Sequence, residues 1–115
     1  KEVCASALAA GKSVAVDNTN PSKKARAEFI KLAQDHSVKV RCLWMEASRE
    51  MAQHLNRVRE MAGSDHAPVP PQAYFGYESN FEEPCESEGL ESVVRVPFVP
   101  SFEDEAEERI FKWRL

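Results

Sequence analysis

Asp17 and the arginine pair Arg57 and Arg59 are the residues whose types and placement could do chemistry. Asp17 opens DNTN, directly after the apolar run SVAV. Asp, Asn and Thr bond their own backbone and end regular structure. An acid placed there stands at the carboxyl end of a strand, and in open α/β sheets that edge is where ligands bind. The competing reading is a plain turn cap, which needs no ligand. Arg57 and Arg59 lie in NRVRE, on the polar side of a helical pattern. Planar guanidinium groups suit phosphate oxygens bidentately, and phosphoryl-transfer sites use them for that reason. Two arginines two positions apart do not share one helix face, so both meet one anion only if the helix breaks or projects as a lid. Otherwise they form a solvated patch. Arg26 falls near a helix start, within reach of the strand end that carries Asp17. A solvated helix arginine is its commoner reading.

Other chemistry-bearing residues carry less. His36, His54 and His66 sit in unrelated contexts, and His54 reads as a polar surface residue near the arginines. Cys4, Cys42 and Cys85 are odd in number and widely spaced, without a CxxC pair or metal-ligand spacing. They read as reduced, structural cysteines of an intracellular protein. Gly11-Lys12-Ser13 imitates the end of a phosphate-binding GxxxxGKS/T loop, but Ser6 stands where the first glycine belongs. That motif also runs strand, loop, helix, whereas here a helix precedes and a strand follows. It is a decoy.

The elements that must position these residues follow from periodicity. KEVCASALAA reads as a helix closed by Gly11. Residues 13–16 read as a strand buried on both faces. Residues 21–36 read as a helix, with Asn20 as N-cap and Pro21 in the first position. Its apolar stripe is Ala25, Phe29, Ile30 and Ala33, while Lys23, Lys24, Glu28 and Lys31 face water. VKVRCLWM, residues 38–45, is the second strand, with Val38, Val40, Cys42 and Trp44 on a core face. Ser48 caps a helix that stops at Gly63. A proline-stiffened loop, residues 64–71, leads to a short helix over 72–81. Its aromatics, Tyr74, Phe75, Tyr77 and Phe81, are expected in the core. EPCESEGLE reads as a surface connection and residues 92–98 as a third strand. Ser101 and Asp104 read as a capping box before FEDEAEERIFKWRL. Lys112 and Arg114 suit the dipole at that helix's end.

The 115 residues hold enough chain for one domain. With 43% hydrophobic and 30% charged residues, the chain is globular rather than disordered. A net charge of −4 gives no global pull towards nucleic acid, so any phosphate-binding surface is local. No apolar run is long enough to span a membrane, and no membrane partner is expected. The chain starts at Lys1 inside a helical pattern and reads as a piece of something longer.

Four stretches, in this order and spacing, carry a resemblance: GKSVAVDNTNPSKKAR, HLNRVREM, the proline loop leading to YFGYESNFEEP, and EGLESVVRVPFVP. The chain resembles the kinase domain of eukaryotic polynucleotide kinase 3′-phosphatases, the bifunctional DNA-end repair enzymes. The resemblance covers nearly the whole chain and is weakest in the tail. It implies a P-loop kinase-like three-layer α/β sandwich with a largely parallel sheet, incomplete on its N-terminal side. It implies transfer of the ATP γ-phosphate, with Mg2+, to DNA 5′-hydroxyl ends in a nuclear strand-break repair enzyme. DNA-repair scaffold proteins would bind through an N-terminal region outside this sequence. Asp17 matches the acid of the family's DNTNP motif, which organises the acceptor site, with Asn18, Thr19 and Asn20 completing the loop and Arg26 beside it. Arg59 matches the lid arginine on the ATP phosphates, with Arg57 as its neighbour.

The family's Gly-rich P-loop, its general-base Asp and its phosphatase domain are not in this sequence. The chain alone is therefore expected to be inactive, and to leave an apolar sheet edge or face exposed. Two other classes fit the same residues: a non-catalytic anion-binding or scaffold module, and a related P-loop kinase acting on RNA or a small metabolite.

Overall fold

The computed structural model describes residues 1–63, 65 and 67–113. His66 and the last-turn cation Arg114 lie outside the described residues. The elements are α1 (Glu2–Ala9), α2 (Lys23–Asp35), β1 (Arg41–Met45), α3 (Arg49–Met61), α4 (Pro71–Asn80), a 3-10 turn (Glu86–Glu88), β2 (Ser92–Val96) and α5 (Glu105–Lys112). β1 and β2 pair in a two-stranded sheet. Glu91 N donates to the Val40 carbonyl at one end and Glu46 N to the Val96 carbonyl at the other, so the strands run parallel. The α/β class and the parallel pairing are those expected. Both strands are shorter than expected, and Pro97, which has no N–H to give, follows the end of β2. No helix among the described residues is long and apolar enough to cross a membrane.

The chain forms two compact units, Lys1–Trp44 with Gly76–Arg95, and Met45–Phe75 with Val96–Leu115. In the first, Arg26, Ile30 and Ala33 repeat at helical spacing and are the buried residues of α2. Leu90 joins them in the core. Gly89 has φ +106, and a Cβ there would stand 3.0 Å from Ile30 Cγ2 and Gln34 Nε2. Only glycine lets the chain turn this hard against α2. The lysines of α2 face water, as expected.

Three expectations for this unit change. Residues 13–16 are not a strand, and Val14 and Val16 are 36% and 39% exposed. A ladder needs a neighbour, and none pairs with them among the described residues. Ser22, not Asn20, caps α2: its backbone is extended and its hydroxyl accepts from Ala25 N at 3.1 Å. Asn20 has φ +42, a left-handed conformation unlike the extended backbone of an N-cap. Trp44 is half-buried rather than enclosed. Cys42 and Trp44 face inward, but Leu43 and Met45 on the opposite side of β1 are 52% and 69% exposed.

Trp44 packs on Phe81 at 5.5 Å between centroids and lies 4.4 Å beneath the Arg95 guanidinium. Trp44→Ala is expected to cost about 3 kcal/mol, the lower end for a large aromatic, because one side of the ring is only partly enclosed. Denaturant unfolding measures this, and a change within error means that the strand is in the other register.

In the second unit Ser48 caps α3 by accepting from Met51 N, and Gly63 follows with φ +77, both as expected. α3 packs on α5 around Phe111, which is buried. Phe102 lies 5.2 Å from its ring and Phe98 6.2 Å. His54 is not the surface residue expected: its ring meets Phe111 edge-on and its Nε2 donates to the Phe111 carbonyl. The cap stands three residues later than expected, and it is not a capping box, because Glu107 reaches Glu103 N rather than the N–H of the cap residue. Asp104 accepts from Glu107 N at 2.8 Å, and Glu107 accepts from Glu103 N at 2.8 Å. Phe75 was expected in the core, yet it is exposed and carries the Arg49 guanidinium over its ring.

Candidate functional site

Asp17 directly follows the SVAV stretch, exposed, and its carboxylate has no hydrogen-bond or ion-pair partner among the described residues. Its neighbours close the loop instead. Asn18 Oδ1 accepts from Thr19 N at 2.9 Å, and Asn20 Nδ2 donates to the Asn18 carbonyl at 3.4 Å. Asparagine is among the few residues that tolerate the left-handed backbone of position 20, and the following Pro21 disfavours the helical alternative. The turn-capping work that Asp17 could have done therefore falls to Asn18.

Arg26 is the largest departure from expectation. It is 7% exposed, neither solvated nor opposite Asp17. Its Nε and Nη2 donate to Glu88 Oε1 and Oε2 at 2.9 and 3.1 Å, a two-point pair. Nη1 donates to the Asn20 carbonyl at 3.0 Å and Nη2 to the Glu82 carbonyl at 2.9 Å. Glu88 also accepts from Cys85 N at 2.9 Å. Burial pushes the Glu88 carboxyl up, but the bonds from Arg26 and Cys85 N and the charges of Arg26 and Lys23 outweigh it and hold the group below its ordinary value. Burial pushes the Cys42 thiol up, against the pull of Arg26. The Glu82 carboxylate accepts from Lys23 N at 3.1 Å, and Glu82 N donates to the Pro21 carbonyl at 2.7 Å. Both chain ends flanking the α2 cap are thus fixed. Glu88 was invisible in the sequence: it stands among Glu82, Glu83 and Glu86 in a stretch read as a surface connection.

Arg57 and Arg59 are both exposed on α3, which is regular throughout. Two steps along an α-helix turn about 200° around its axis, so the two side chains point to opposite sides. Arg59 lines a cleft of about 500 Å3 with Leu55, Val58, Phe98, Phe102 and Ile110; Arg57 does not. Neither arginine has an ion-pair partner among the described residues. Glu107 also borders the cleft, but its carboxylate accepts from Glu103 N, just ahead of α5. A cation on apolar walls is poorly screened and favours an anion more strongly than one in open water. Asn56, not singled out in the sequence for a role, accepts from Val69 N at 3.1 Å and donates to the Val69 carbonyl at 3.2 Å, which ties the proline loop to α3. Asp17, Asn18, Thr19, Asn20 and Arg26 belong to the first unit and Arg57 and Arg59 to the second. Among the described residues no group of three His, Cys, Asp or Glu could hold a metal ion.

Two curated relatives match most of the chain. A bifunctional polynucleotide phosphatase/kinase of Schizosaccharomyces pombe is 36% identical over 92 residues, 80% of this chain and 22% of its own length. A candidate bifunctional polynucleotide phosphatase/kinase of Acanthamoeba polyphaga mimivirus is 39% identical over 94 residues, again 80% of this chain and 22% of its own. The chain spans about a fifth of the length of these relatives. The model of the AAA domain family matches residues 1–84, a span that holds Asp17, Arg26, Arg57 and Arg59 and ends before β2. By that match over most of its length, the chain belongs to the AAA domain family.

Proposed function

We propose that the intact protein carrying this chain moves the γ-phosphate of ATP to the 5′-hydroxyl of a DNA end. The 5′-hydroxyl gives its proton to a general base, a role to which no residue of this chain is assigned, and its oxygen forms a bond to the γ-phosphorus as the bond to the β–γ bridging oxygen breaks and ADP leaves. The observation that carries the reading is Arg59, a cation without an ion-pair partner among the described residues, lining an apolar cleft. There it would contact the transferring phosphoryl group, whose charge spreads over three oxygens. Arg57, on the opposite side of α3, gives a lesser, longer-range attraction. Asp17 organises the acceptor side from the DNTN loop, holding a cationic partner that contacts the DNA phosphate. Mg2+ bound with ATP would neutralise charge on the β- and γ-phosphates; no residue of this chain is assigned to it. The relatives' names support the acceptor class. The proposal extends to a 3′-phosphatase in the same protein, work in nuclear strand-break repair, and repair scaffold proteins as partners.

Asp17→Asn tests the acceptor role. Asparagine caps a turn as well as aspartate does, so a structural role predicts little change. The expected result is a raised KM for the DNA acceptor, with the KM for ATP and the melting temperature unchanged. Wild-type kinetics in both substrates would leave Asp17 as an ordinary turn residue.

A further inference from the structure

We propose that Arg26, held by Glu88, is a positioning residue that sets the backbone of the Asp17–Asn20 loop. The observation is geometric. A guanidinium presents its five N–H donors in one plane, in a fixed fork. Here one edge of the fork is bound to Glu88 at two points, which fixes the plane. The remaining donors then aim at two carbonyls in fixed directions, Asn20 on one side and Glu82 on the other. The Asn20 carbonyl belongs to the one residue of the loop held in a left-handed backbone. That conformation is uncommon outside glycine even where asparagine tolerates it, and it is held most firmly when its surroundings over-determine it. Arg26 supplies that determination from the first turns of α2, a rigid element whose own start is fixed by the Ser22 cap and by Glu82.

A merely structural ion pair would need only Glu88. The third and fourth bonds go to backbone that leads away from the pair, one of them to the loop that carries the unpartnered Asp17. Lysine in place of Arg26 keeps the charge for Glu88 but is a point donor without the fork, so it cannot hold the carboxylate and both carbonyls in one plane.

The catalytic consequence rests on the acceptor reading of Asp17, and the test separates the two. Hydrogen exchange in the intact protein reads the loop directly. Arg26→Lys is expected to speed exchange of the amides at residues 18–20 about tenfold or more, with the amides around Ile30 and Leu90 unchanged. If Arg26→Lys fails to fold, Glu88→Asp is the second variant. It keeps both charges, draws the carboxylate back by one methylene and should loosen the same amides. Unchanged exchange at residues 18–20, or a rise shared by the whole core, overturns the proposal. Kinetics of the same variants then read function: the KM for the DNA acceptor should rise about tenfold while the KM for ATP holds. Combined with Asp17→Asn, Arg26→Lys should add little further. A loosened loop with a normal acceptor KM supports the positioning role and refutes the acceptor reading of Asp17 alone.

Discussion

Replacing Arg59 with alanine in the intact protein is expected to lower the rate of phosphoryl transfer about 100-fold or more, with the fold intact. A donor aimed at charge that develops in the transition state is worth that much in phosphoryl and acyl transfer sites. Arg59 is exposed on α3 and packs into no core, so its removal should not unfold the domain. Arg57→Ala is the matched control. Its side chain lies on the opposite side of α3, away from the cleft, and an exposed charge beyond about 10 Å is largely screened at ordinary salt. Its effect should be about threefold or less on that ground. Single-turnover rates with both variants decide the order. An Arg57→Ala defect larger than that of Arg59→Ala means that α3 turns or unwinds when nucleotide binds. Wild-type rates for both mean that the pair is a solvated patch.

The second large effect is on stability. Glu88→Gln leaves the Arg26 guanidinium buried without its counter-charge, and removal of one partner of a buried pair costs about 3–5 kcal/mol. For a domain of this size each kcal/mol moves the melting temperature by roughly 4–8 °C, so a fall of about 12 °C at least, and up to about 40 °C, is expected. The pH dependence has a definite sign. The Glu88 carboxyl titrates below its ordinary value in the fold. Its contribution is therefore complete above the unfolded glutamate value of about 4.3 and is lost as pH falls through the folded value. The gap between wild type and Glu88→Gln should stay constant from neutral pH down to about 5 and close in acid. Denaturant curves over that range measure it. A gap that widens in acid would mean that Glu88 is protonated in the fold and that Arg26 is paired elsewhere.

What was legible in the sequence followed from local rules. The Ser48 cap, Gly63 past the end of α3, the amphipathic α2 and the alternation that turns Cys42 and Trp44 inward each depend on residues within one or two turns. The Asp17 loop was legible for the same reason, since DNTN closes on itself through Asn18 and Asn20. What the sequence hid depends on distant partners. Residues 13–16 have strand composition, but a strand is a pairing, and composition does not supply the neighbour. Arg26 looks like any helix arginine until Glu88, 62 positions later, arrives beside it. Glu88 in turn looks like its acidic neighbours. The cap of α5 moved from Ser101 to Asp104, an extended residue that starts the helix after Phe102 has reached Phe111. Arg57 and Arg59 could be ranked only once α3 was seen to be unbroken, because the choice is one of rotation about its axis.

The most direct test of the kinase reading is to give the intact protein ATP labelled at the γ-phosphate together with three acceptors: 5′-hydroxyl DNA, 5′-hydroxyl RNA and a panel of small hydroxyl compounds. The expected result is label on the 5′ end of DNA, in amounts that fall with Arg59→Ala at all acceptor concentrations and with Asp17→Asn at low acceptor only. Label on RNA or small hydroxyls alone would assign a different acceptor to the same chemistry. No label on any acceptor, from a protein that still binds ATP or DNA, would contradict the account and leave the chain as part of a binding module.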